Sequence, residues 1–186
     1  MIFRPFLLDV NEANAYILAC GETREAILID AGSFDLRIVD FLEEQRLQLR
    51  AIFITHDHYD HTDGLAGFIA QFPKATVYTG NGSSRFESTQ VIPGTTLQIG
   101  TRTGTVLDTP GHTRDSVSIT FPGFIFTGDA LFAGSVGGTG SAAQAQTQVD
   151  ALKKNVLTLP DDFEIHPGHG PASTVKIEKD YNPFLI

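Results

Sequence analysis

Read for the alternation of apolar and polar positions, the chain predicts short strands interleaved with a few helices. Residues 2–8, 13–19 and 25–30 read as strands, and Gly21-Glu22-Thr23-Arg24 reads as a hairpin between the second and third. Pro5 cannot donate to a ladder, so the first strand is expected at a sheet edge. Ile38, Phe41 and Leu42 recur at helical spacing within residues 34–47, with Ser33 placed to cap that helix. Ala51-Ile52-Phe53-Ile54 is a continuous apolar run, the pattern of a strand covered on both faces. Leu65, Phe68, Ile69 and Phe72 mark a helix that starts about Asp60 and His61 and stops at Pro73. Further strands are expected at 75–79 and 104–109, and 117–121 pairs with 124–127 across Pro122-Gly123. Val149, Leu152, Val156 and Leu159 give a last helix stripe, and a strand near 163–166 leads into His169. Strands that precede helices in both halves predict two sheets packed face to face with helices outside.

Composition limits what surrounds these elements. The 186 residues, 41% of them hydrophobic, suffice for one substantial core and fall short of two ordinary domains, so residues 1–186 are expected to form one domain. Thirteen basic against twenty-two acidic side chains leave a formal charge of −9, and the longest basic cluster is the pair Lys153-Lys154. That balance disfavours a nucleic-acid partner. A single cysteine, Cys20, leaves no intrachain disulfide, and the first residues lack the apolar run of a secretory signal, so a cytoplasmic location is expected. No stretch approaches the roughly 18 apolar residues of a membrane span.

The chemistry lies in the histidines. Five of the six fall in three short motifs: Thr55-His56-Asp57-His58-Tyr59-Asp60-His61, Pro110-Gly111-His112-Thr113 and Pro167-Gly168-His169-Gly170. Neutral imidazole and carboxylate are the usual ligands of zinc and related divalent ions. One ion cannot easily take all the donors of the first run, so two adjacent ions are expected. The run begins where the apolar strand at 51–54 ends, which gives the donors a rigid support followed by a loop free to bend around a metal. A tight turn must then fold His56, His58 and Asp60 inward, because a straight strand would spread them. The stretch 134–140, rich in Gly, Ser and Thr, is expected as a loop beside this site.

These motifs, with Phe126-Thr127-Gly128-Asp129 between the second and third, resemble in order the metallo-β-lactamase superfamily. The likeness is greatest to its hydroxyacylglutathione hydrolase, or glyoxalase II, branch, and extends to Leu131-Phe132-Ala133-Gly134-Ser135 and the closing Asn182-Pro183-Phe184-Leu185. It implies a four-layer αββα sandwich with metals at one edge. It assigns His56, His58 and His112 to one ion, Asp60, His61 and His169 to a second, and Asp129 as the bridge. Asp30, in Leu28-Ile29-Asp30-Ala31-Gly32, matches a carboxylate that supports the ligands from behind, and Asp57 is a weaker candidate for that role. The implied cofactors are two divalent ions, zinc first, with iron or manganese as alternatives. The implied reaction has a metal-bridging hydroxide, held with Asp60 and Asp129, attacking a small-molecule thioester such as S-lactoylglutathione. A thiolate leaves without a strong general acid, whereas an amide nitrogen needs one.

Two departures bear on substrate. Full-length glyoxalase II enzymes add a carboxy-terminal helical region that helps grip glutathione, and this chain resembles the short, single-domain relatives. Gly138 and Gly140 also stand where relatives commonly carry an arginine and an aspartate. Other readings stay open: a persulfide dioxygenase with one iron at the His58, His112 and Asp129 positions, a lactonase, or a metal-stabilised binding module without turnover. An intact Asp60, His61 and His169 set argues against the first. His166 falls outside the match and reads as a surface or supporting residue; Asp108 and Asp115 read as turn formers or solvated side chains, Lys153 and Lys154 as a wet helix face. Tyr59 has equal claims to the substrate mouth and to plain packing against its loop.

Overall fold

The computed structural model describes residues 1–80 and 86–186. One six-stranded sheet runs, in spatial order, β1 (Ile2–Leu7), β2 (Asn14–Ala19), β3 (Glu25–Ile29), β4 (Gln48–Phe53), β5 (Thr76–Thr79) and β6 (Thr89–Gln90). The second contains β7 (Thr96–Ile99), β8 (Arg102–Asp108), β9 (Val117–Phe121) and β10 (Phe124–Gly128), with β7 at one edge. A separate hairpin, β11 (Leu131–Phe132) with β12 (Ser135–Val136), follows. Next, β13 (Glu164–Pro167) joins the second sheet parallel to β10, and β14 (Ser173–Thr174) closes its other edge. The helices are α1 (Leu36–Glu44), α2 (Tyr59–Thr62), α3 (Leu65–Gln71), α4 (Ala142–Asn155) and α5 (Val175–Tyr181). Among the described residues, no helix is long and apolar enough to cross a membrane.

The side-chain period of two along β2 shows how the layers stack. All six of its residues are buried. Ala15, Ile17 and Ala19 pack with Ile38 and Leu42 of α1 and Phe68 of α3, beneath the helices. Tyr16 and Leu18 point the other way, into a cluster with Ile119, Phe121 and Phe126 of the opposite sheet. That second sheet in turn lays Ile125 and Ile165 against Leu152 of α4 and Val175 of α5. The order is helix, sheet, sheet, helix. Burying a side chain such as Phe53, which has no exposed surface, contributes about 2–3 kcal/mol.

β1 lies at an edge, where Pro5 opposite Tyr16 is tolerated. Three expectations are corrected. Asp35, not Ser33, caps α1, its Oδ1 accepting from the Arg37 backbone N–H at 2.8 Å. Ser33 is instead pressed against Gly64, where an added Cβ would stand 2.1 Å from the Ser33 carbonyl carbon. That same contact, with the Gly64 N–H donating to the Ala31 carbonyl at 2.8 Å, breaks the helix expected from Asp60 into α2 and α3. Finally, of the two readings of His166, burial removes the surface one and leaves the supporting one. His166 is 4% exposed and sits among the rings of Phe3, Tyr16, Phe124 and Phe126. The short elements β6, β7, β11, β12, β14 and α5 were not expected from the pattern.

Candidate metal centre

The seven side chains that the resemblance assigns to the ions, five histidines with Asp60 and Asp129, meet at one end of the sandwich, where strands of both sheets stop. β4 ends at Phe53, and two further backbone bonds, Ile54 N–H to Tyr78 O at 2.9 Å and Val117 N–H to Thr55 O at 3.0 Å, hold its extension between the sheets. His56 follows directly. The required tight turn is α2: His58 is its extended N-terminal cap, and one helical turn swings Asp60 and His61 back toward His56. Gly32 lets α2 come this close, since a Cβ there would lie 1.7 Å from the Asp60 carbonyl oxygen.

The second sheet delivers the other three. Gly128, at φ +50°, turns the end of β10 so that Asp129 enters the site; its missing Cβ leaves room for Thr55 Oγ1, 2.3 Å from where that atom would be. His169 follows β13, whose end is tied to β2 by Tyr16 Oη donating to the Pro167 carbonyl at 2.6 Å. Asn14 Nδ2 donates to Pro167 and Gly170 carbonyls at 3.1 and 2.9 Å. His112 lies in the loop after β8 and donates from Nδ1 to Gly138 O at 2.7 Å, so the stretch expected beside the site does reach it.

Two donor groups result: His56, His58, His112 and Asp129, and Asp60, His61 and His169, each with atoms within 4.8 Å of one another. His58 Nδ1 is 3.1 Å from His56 Nε2 and 3.0 Å from His112 Nε2. Two nitrogens on a tetrahedral ion at about 2.05 Å stand roughly 3.3 Å apart, close to this spacing. The Asp129 carboxylate lies between the groups, with Oδ1 3.4 Å from His61 Nε2 and Oδ2 3.6 Å from Nε2 of both His112 and His169. Asp60 Oδ2 is 3.5 Å from His169 Nε2. His61 Nε2 and Asp129 Oδ1 are buried with no hydrogen-bond partner, a costly condition that a cation between them relieves. The residues therefore fit metal ions.

Behind them, Asp30 Oδ2 accepts from His61 Nδ1 at 2.9 Å and from Thr55 Oγ1 at 2.9 Å, while its Oδ1 accepts from the Thr55 backbone N–H at 2.8 Å. With its proton given to Asp30, Thr55 Oγ1 is an acceptor for His56 Nδ1, 3.1 Å away. Nδ1 of His56, His61 and His112 is thus occupied from outside, which leaves Nε2 of each facing inward. Thr55 carries this relay and was missed; a hydroxyl directly before the first histidine was the signal. Asp57, the weaker candidate for the same support, is exposed.

The charges sharpen the picture. Burial, with His61 adding repulsion, drives His56 down to about 2. Burial and then His112 lower His58. For His61 burial also disfavours charge, but Asp30 and Asp129 outweigh it and raise the group to about 10. Burial works against the Asp129 carboxylate, yet His61 holds it down to about 2. The site concentrates carboxylates around His61 and so attracts positive charge.

A model of the metallo-beta-lactamase superfamily matches residues 8–169. The chain is 34% identical over 155 residues to a hydroxyacylglutathione hydrolase of Glaesserella parasuis serovar 5, over 83% of this chain and 65% of that protein. It thus spans about two thirds of that relative's length. Among solved structures, that of ETHE1 from Myxococcus xanthus superposes with a TM-score of 0.88 at 34% identity, covering 98% of this chain and 84% of that one. A crystal structure of TTHA1623 in a di-iron-bound form gives 0.83 at 28% identity, covering 98% and 100%. With its donors gathered where the two sheets end and most of its length matched, the chain belongs to the metallo-β-lactamase superfamily.

Proposed function

We propose that the chain is a metal-dependent hydrolase that uses a binuclear centre to cleave a thioester of the hydroxyacylglutathione type. The observation that carries the reading is the Asp129 carboxylate, which stands within 3.6 Å of donors from both groups. His56, His58 and His112 would hold one ion, Asp60, His61 and His169 the other, and Asp129 would touch both. Bound there, divalent ions lower the pKa of water from about 16 to about 7 and polarise a carbonyl oxygen. The protein's share is placement. Asp30 and Thr55 fix the imidazole tautomers, and Asp60 and Asp129 supply negative charge that keeps the cations in position. None of the converging groups is a strong general acid, which suits a thiolate leaving group and not an amine. The name of the Glaesserella parasuis relative supports the substrate class.

The test measures metal per chain, then assays one sample with S-lactoylglutathione, a homoserine lactone, and glutathione persulfide with oxygen monitoring. Thiol release from S-lactoylglutathione with two metals bound is expected. Oxygen uptake with one iron would sink the reading in favour of a dioxygenase. Asp129→Ala is expected to keep its fold by circular dichroism, lose at least one metal, and fall about 10³-fold in kcat/KM. Full activity in that variant would refute the shared carboxylate.

A further inference from the structure

Tyr59 lies on α2 between His58 and Asp60, is 52% exposed, and has no part in the scheme above. Its hydroxyl meets Asn11. Asn11 Nδ2 is 3.1 Å from Asp60 Oδ2 and also within hydrogen-bond reach of Tyr59 Oη. A carboxylate only accepts, so the amide nitrogen must be the side of Asn11 that faces Asp60. Its second hydrogen then points at Tyr59, and the phenol oxygen is an acceptor in that bond. The phenolic proton is left to be donated elsewhere.

What lies nearby indicates the recipient. Asn11 and Glu12 form a turn in which both residues have positive φ, +50° and +54°. With Leu7, Asn14, His169, Gly170 and Pro171 they line a cleft of about 590 Å³ that takes in His169 of the centre; Tyr59 is not part of the lining and adjoins it through Asn11. Among the described residues, the cleft holds one acidic side chain, Glu12, and no lysine or arginine. It is matched to an uncharged group and not to the carboxylates of a glutathione moiety. We infer that this cleft receives the acyl half of the substrate, that Tyr59 Oη donates a hydrogen bond to the oxygen on the acyl carbon next to the carbonyl, and that Asn11 positions Tyr59. The identity of the acyl half rests on the thioester reading; the contact itself is testable apart from turnover.

S-lactoylglutathione and S-propionylglutathione differ only by that oxygen. In Tyr59→Phe the ratio of their kcat/KM values should fall three- to tenfold relative to wild type, through KM for the lactoyl substrate, with metal content unchanged. A merely structural loss would lower both substrates alike and leave the ratio where it was, which would overturn the inference. Asn11→Gly removes the amide while accepting the positive φ. It should lower the ratio part of the way and add nothing in the Tyr59→Phe background; a further, independent drop there overturns the coupling. Binding of lactate against propionate, followed by NMR titration, reads the same contact without catalysis: the wild type should prefer lactate and Tyr59→Phe should lose three- to tenfold of that preference. If the wild type cleaves neither thioester, the hydrolase reading fails and this titration alone decides the contact. No preference for lactate, or one that survives Tyr59→Phe, overturns it.

Discussion

At the scale of single residues, the donors set the chemistry and the carboxylate behind them sets how well they hold it. Asp30 accepts three hydrogen bonds, from the Thr55 backbone, the Thr55 hydroxyl and His61 Nδ1, at a backbone φ of +59° that aspartate and asparagine tolerate better than most residues. Asp30→Asn keeps the shape and the backbone but has one accepting oxygen instead of two. Either Thr55 N–H or the Thr55 and His61 pair then faces an NH₂ group. Metal affinity is expected to fall 10- to 100-fold, measured by competition with a chromophoric chelator, while the melting temperature of the metal-free protein drops less than in a large-to-small core variant. An unchanged affinity would show that His61 orients itself without help. The histidines were legible in sequence because four donors share one run and the other two histidines follow glycines whose lack of a side chain is itself required: a Cβ on Gly168 would meet Asp129 Oδ1 at 2.1 Å, and one on Gly111 would meet Gln148 Cβ at 2.2 Å. Asn11 was not, since its partner Asp60 lies 49 residues away and no local pattern announces it, and Thr55 offered only its place before His56, its other partner Asp30 lying 25 residues away.

At the scale of elements, the centre depends on pieces too short to carry a pattern. β4 and α1 were legible because their apolar positions repeat over several residues against an extensive core. β14, two residues long, and α5, seven residues, leave little periodicity to read. Yet α5 steadies the hairpin that leads to the site. Glu178, with no exposed surface, accepts from the Gly134 N–H at 3.0 Å, from Asn182 Nδ2 at 2.7 Å and from the Ser173 hydroxyl. Asn182 Nδ2 also donates to the Ser135 carbonyl at 3.1 Å, so α5 grips the turn between β11 and β12 from two points. Phe132 of that hairpin stands edge-on to His169. Glu178→Ala leaves several buried donors without an acceptor and a void in their midst. A loss of about 3 kcal/mol is expected, seen as a fall of roughly 6–12 °C in melting temperature by calorimetry. Glu178→Gln should recover part of it, and a fall of under a degree in the alanine variant would show that water replaces the carboxylate at no cost.

At the scale of the whole molecule, the two sheets bring titratable groups with opposite preferences to one end, and their sum gives the protein a pH dependence that metal should change. Burial keeps His56 and His166 neutral, His56 down to about 2. In the unfolded chain histidine titrates near 6.5, so below that pH the unfolded state binds protons that the native state refuses, and stability falls with falling pH. His61 does the reverse. Held up to about 10, it keeps its proton in the native state after the unfolded chain has released it. Its contribution is complete below about 6.5 and is lost as the pH rises from there to about 10. Through His61 the metal-free protein is therefore expected to lose on the order of a few kcal/mol between pH 6.5 and pH 10, measured as urea midpoints after chelator treatment in a Cys20→Ala background, because the Cys20 thiol, held down to about 6 by its hydrogen bond to Thr101, shifts stability the opposite way over part of that interval. In the proposed centre a divalent ion would take the place of the His61 proton, so the metal-loaded protein would have no such proton to lose. Its alkaline limb should be flat over the same interval, while its acid limb steepens because protons now compete with metal for every histidine of the centre. Parallel alkaline limbs with and without metal would mean that the charge drawn to His61 and Asp129 is not the one the ion replaces, and the placement of the second ion would fall with it.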